Sequence, residues 1–150
     1  MRRFGVIAAT LVLVTLASGC SGGRSVHGHS CTATDQDFIR TASADVTGLG
    51  MLTADYQSGQ AEPKEVAQQA FDAAERVHHT DPKDPSLRAA RSYLDAMFQE
   101  YGAAVTIQAK GGEAGERMYR AYGLANFAHD VLAQAQPALS QRGCDVAALL

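Results

Sequence analysis

Four stretches of this chain carry apolar side chains at steps of three and four residues, and none shows the strict alternation of a half-buried strand. The first puts Phe38, Ile39, Ala42, Val46, Leu49, Leu52 and Tyr56 on one helical face. The second does so with Val66, Ala67, Ala70, Phe71, Ala74 and Val77, and the third with Leu87, Ala90, Leu94, Met97, Phe98, Tyr101 and Val105. The fourth carries Met118, Ala121, Leu124, Ala125, Ala128, Val131, Leu132 and Ala135. That period predicts an all-α fold. Composition agrees: 27 of 150 residues are alanine and none is tryptophan, so the apolar content consists mostly of small helix-forming side chains.

The punctuation between the stretches sets the topology. Thr34 with Asp37 reads as a capping box for the first helix, and Ser58-Gly59 ends it. Pro63 sits in the first turn of the second helix, which Thr80-Asp81-Pro82 stops. Asp84-Pro85 caps the third, and Gly111-Gly112 ends it. The fourth starts around Glu113. Pro137 is expected to kink it or end it early, and Gly143 closes what remains. Gly48 and Gly50 weaken the first helix and suggest close approach by a neighbour. Connections near 58–62, 79–84 and 110–113 are short enough to force consecutive helices antiparallel. The expected domain is therefore an up-down-up-down four-helix bundle over residues 31–150.

Ahead of that domain the chain has a different character. Arg2 and Arg3 precede thirteen uncharged residues, Phe4 to Leu16. At about 1.5 Å per residue these span about 20 Å as a helix, well short of a hydrocarbon core of about 30 Å. This reads as an export signal over residues 1–19. The run Leu16-Ala17-Ser18-Gly19-Cys20 resembles the lipobox of bacterial lipoproteins, with alanine three residues before the cysteine and leucine one further back. With the alanine-rich helices and ten Arg against three Lys, the whole resembles the small actinobacterial lipoproteins of unknown function. The resemblance implies cleavage before Cys20, acylation of its thiol, and membrane lipid as its partner, with the protein on the extracytoplasmic face of the cell membrane. The alternative is an ordinary secretory signal with an incidental cysteine. Residues 20–30 are rich in Gly and Ser and read as a flexible tether. Cleavage would leave eleven Lys and Arg against sixteen Asp and Glu, a formal −5, so the domain should stand off an anionic leaflet.

Two further cysteines, Cys31 and Cys144, bracket the domain. In an oxidising compartment such a pair is most simply one disulfide. The bundle topology independently brings the two ends together. Closing a loop of about 110 residues would contribute about 5 kcal/mol in the chain-entropy model. Two free buried thiols, or a metal role for Cys31 with His27 and His29, are the alternatives.

The net charge of −3 and the lack of a basic stripe exclude an electrostatic nucleic-acid footprint. No catalytic constellation, cofactor motif or phosphate loop can be assembled. His78-His79 end the second helix, where they suit the last carbonyls and the helix dipole. Glu75-x-x-His78 also has the spacing of ferritin-like metal bundles, with Asp45, Asp95 and Asn126/His129 near the same level, but Asn126 stands where a glutamate is wanted. Tyr119, Tyr122, Asn126 and His129 form a second stripe beside the apolar face of the fourth helix, suited to lining a groove or to bonding across to the third. The reading is a membrane-tethered helical binding module of the cell envelope, without catalytic activity, whose partner is another envelope protein or a small ligand. The alternative is a metal-binding or redox four-helix bundle.

Overall fold

The structure, a computed structural model, describes residues 30–150. The expected signal, Cys20 and the tether as far as residue 29, with His27 and His29, lie outside the described residues. Four helices follow one another: α1 (Ala33–Gln57), α2 (Pro63–His78), α3 (Pro85–Ala109) and α4 (Gly115–Gln141), with a short 3-10 turn at Ala147–Leu149. Among the described residues there is no strand.

Each start has a local cause. The capping box of α1 is Thr32 with Asp35, two residues earlier than the expected Thr34 and Asp37. The Asp35 N–H donates to Thr32 Oγ1 at 3.1 Å, and the Thr32 N–H donates to Asp35 Oδ2 at 3.0 Å. Asp35 prevails because its other oxygen also meets the α2–α3 loop, while Asp37 faces solvent beside Arg40. Pro63 opens α2 and Pro85 opens α3, as expected, and Asp84 Oδ1 accepts from the Ser86 and Leu87 N–H groups. Three helices end in the same device. At the end of α4, Gly143 turns left-handed (φ 83°) and donates to Ser140, while Cys144 donates to the Leu139 carbonyl at 2.9 Å. Gly59 and Gly111 do this for α1 and α3.

Pro137 neither ends nor breaks α4, which runs on to Gln141. The proline and the Ala133 carbonyl it frees are both on exposed residues, so water can take that carbonyl, and buried Leu139 holds the last turn down. The Gly143 turn then delivers Cys144 to Cys31. The two are disulfide-bonded with Cα atoms 5.2 Å apart, and the Cys31 N–H donates to the Arg142 carbonyl at 2.8 Å.

The helices form the up-down-up-down bundle. In it α1 and α3 run parallel in a register of 48 residues: Asp35 accepts from the Lys83 N–H at one end, and Thr53 meets Tyr101 at the other. The core is built on Phe38, Leu87, Phe98, Leu132 and Leu139, all fully buried. α3 packs closely on both α2 and α4. Against α2, a Cβ added at Gly102 would lie 3.1 Å from the Phe71 ring and 3.2 Å from the Ala67 carbonyl oxygen, so glycine is what permits this approach. Of the approach expected at Gly48 and Gly50, only Gly48 has a neighbour, the Gln69 side chain of α2 at an ordinary 3.5 Å from an added Cβ, while a Cβ at Gly50 would meet nothing within 4 Å. Between α1 and α4 no pair of Cα atoms comes within 8 Å. The bundle is therefore open along that side, which leaves Val46 of the expected core face 37% exposed. Phe71, also expected inside, is 41% exposed because its ring lies over Gly102 at the edge of the α2–α3 seam.

Candidate functional site

The residues of the metal pattern go to three different places. Glu75, His78 and Asp95 share a shallow groove between α2 and α3, where His78 Nδ1 and Asp95 Oδ2 are 2.9 Å apart. His78 thus bridges to α3 instead of bonding to the last carbonyls of α2. Asp45 faces α2, where Arg76 donates to its Oδ1 from Nε at 2.9 Å and from Nη2 at 2.6 Å. These bonds to Asp45 raise the Arg76 pKa, outweighing its partial burial. His129 lies on the surface next to Asp130, and Asn126 is exposed. Among the described residues, the one set of three candidate ligand side chains with atoms within 4.8 Å of one another is Cys31, Asp35 and Cys144. Both sulfurs there are in the disulfide. Both Asp35 oxygens are occupied, accepting from the Thr32 N–H and hydroxyl and from the Lys83 and Asp84 N–H groups.

The open side of the bundle has another chemistry. A groove of about 390 Å³ runs between α1 and α4 over α3. Its floor is Met97, Phe98 and Tyr101 of α3. One wall is the α1 stripe Val46, Leu49, Gly50, Thr53, Ala54 and Gln57, and the other is Ala121, Tyr122 and Ala125 of α4. Small residues on both walls, Gly50 and Ala54 of α1 and Ala121 and Ala125 of α4, leave part of the space between the separated helices unfilled. None of its lining residues is charged. Its one side-chain hydrogen bond joins the Thr53 and Tyr101 hydroxyls at 2.9 Å.

Helix α4 borders the groove and is lightly buried, covering only Ala121, Ala128, Leu132 and Leu139 among its 27 residues. Tyr122 stands at the rim 64% exposed and Tyr119 is 79% exposed. On the other flank Phe127, 58% exposed, lies against Tyr93 with ring centroids 5.6 Å apart. Of the second stripe on this helix, Tyr122 lines the groove and Tyr119 lines a separate hollow on the α3 side. Asn126 and His129 line neither. Sequence reasoning missed Gly50, Thr53 and Tyr101 as a group. The signal that joins them is the parallel register of α1 and α3, invisible until the helices are placed. No protein-family model, curated protein or solved structure matches this chain.

Proposed function

We propose that this chain is a lipoprotein tethered through acylated Cys20 to the extracytoplasmic face of the cell membrane. Its helical domain serves as a non-catalytic binding module of the cell envelope. The lipobox-like run at Leu16 to Cys20 supports the anchor, and a disulfide between Cys31 and Cys144 suits an oxidising compartment. The observation that carries the binding reading is the uncharged groove between α1 and α4. A pocket of this size with mostly apolar lining and a few hydroxyls is the usual form of a small-ligand site. The Thr53 and Tyr101 hydroxyls bond to each other, and no carboxylate, histidine or lysine lines the groove to act as a base. The groove begins at mid-length of α1 and runs to Gln57, the end remote from the tether.

Two measurements test this reading. Cys20→Ala should move the protein from the membrane fraction to the medium, and equal retention of the variant would overturn the anchor. A neutral naphthylamine dye should bind the purified domain at one site, with its fluorescence enhanced. A domain that leaves the dye dark would overturn the binding module.

A further inference from the structure

Resting on that binding reading, we infer that the groove takes an uncharged amphiphile with one alkyl chain and a hydroxyl-bearing head. Charge decides the first part. No lining residue carries charge, so nothing offsets the desolvation of a carboxylate, phosphate or ammonium group placed there.

Polarity along the groove decides the orientation. Val46, Leu49 and Phe98 make its mid-helix end apolar. Thr53, Tyr101 and Gln57 make the end near the α1 terminus polar. In the Thr53–Tyr101 pair one hydroxyl donates to the other, which leaves the second hydrogen free to donate and lone pairs free to accept. A neutral hydroxyl or ester head satisfies both capacities, whereas a bare hydrocarbon satisfies neither.

Size decides between a chain and a helix. A docked helix is about 10–12 Å across with its side chains. The groove's volume of about 390 Å³ lies near the low end of small-ligand sites, which run from about 300 to 1,000 Å³. From Val46 to Gln57 it extends about 17 Å at the helical rise, a length suited to a single extended chain.

Monolaurin and laurate share one acyl chain and differ in head charge, so the pair tests the inference by displacement of the neutral naphthylamine dye below micelle-forming concentrations at neutral pH. Monolaurin should displace the dye at one site, and laurate should bind at least about tenfold more weakly. Gly50 lines the groove and an added Cβ there meets nothing within 4 Å, so Gly50→Leu should fold normally and abolish binding of both dye and monolaurin. Thr53→Val with Tyr101→Phe should weaken monolaurin about tenfold, the effect of one lost hydrogen bond. Equal or tighter laurate binding, or monolaurin binding that ignores Gly50→Leu, would overturn the inference. So would a dimer in sedimentation that Gly50→Leu dissociates, because a second copy would then fill the groove. Dye binding that Gly50→Leu blocks but monolaurin does not compete for would leave the binding module standing and refute this ligand class.

Discussion

The two ends of the bundle are built on opposite principles. At the disulfide end, Cys31 is bonded to Cys144, and Arg142 reaches Asp84 at 2.7 Å. Asp35, 3% exposed, collects the Thr32 hydroxyl and three backbone N–H groups, from Thr32, Lys83 and Asp84. The starts of α1 and α3 and the end of α4 are thus locked by charge-assisted and covalent links. At the other end the same helices border the groove with one hydroxyl pair, an uncharged lining and small residues at Gly50, Ala54, Ala121 and Ala125. Position is fixed at the first end by groups that must be satisfied, and space is kept at the second by side chains too small to fill it. Under the proposed function, stability belongs to the disulfide end and binding to the remote one.

Breaking the covalent link should have the largest effect on that contrast. Cys144→Ser, or reduction, removes a constraint worth about 2–5 kcal/mol and should lower the melting temperature by at least about 10 °C in calorimetry. An unchanged melting temperature would mean that the polar links alone hold this end.

The next effect belongs to Asp35. Asp35→Ala leaves the Lys83 and Asp84 N–H groups without their acceptor and removes the α1 box, at a cost of roughly 2–4 kcal/mol in denaturant unfolding. Burial pushes the Asp35 pKa up, but the bonds from the Thr32 hydroxyl and the backbone N–H groups outweigh it, so the pKa lies below the ordinary aspartate value of 3.8. A depressed carboxyl contributes stability that is present above its unfolded pKa and lost as pH falls through the folded one. Acid titration should therefore destabilise the parent chain below about pH 3.8 more than it destabilises Asp35→Asn.

The smallest effect is expected at the groove. Gly50→Leu replaces glycine inside a helix at a position with open space, so stability should stay level or rise by up to about 1 kcal/mol. A loss beyond that would show that α1 and α4 come together at the groove.

What was legible in the sequence follows the same division. Helix number, the caps at Pro63 and Asp84-Pro85, the short connections and the cysteine pair all rest on local chemistry, and each stands in the structure. The α1 box was displaced by two residues because Thr34/Asp37 and Thr32/Asp35 look alike until the α2–α3 loop arrives to choose Asp35. Pro137 does not end α4 early, because the carbonyl it frees faces water, which the proline itself does not reveal. The glycine that a tight helix seam requires is Gly102, inside an unremarkable apolar stripe, whereas Gly48 makes only an ordinary contact with Gln69 and Gly50 none. The groove was the least legible element. Small residues at helical spacing serve a close seam and an open trough equally well, and only the α1–α4 separation tells them apart.

That separation is the centre of the account, and a nuclear magnetic resonance titration of the domain with the neutral dye tests it most directly. The account predicts amide shifts at Leu49 to Gln57, Met97 to Tyr101 and Ala121 to Ala125, with Cys31, Asp35, Asp84 and Arg142 unmoved. Shifts centred on the disulfide end, or none at the groove, would contradict it.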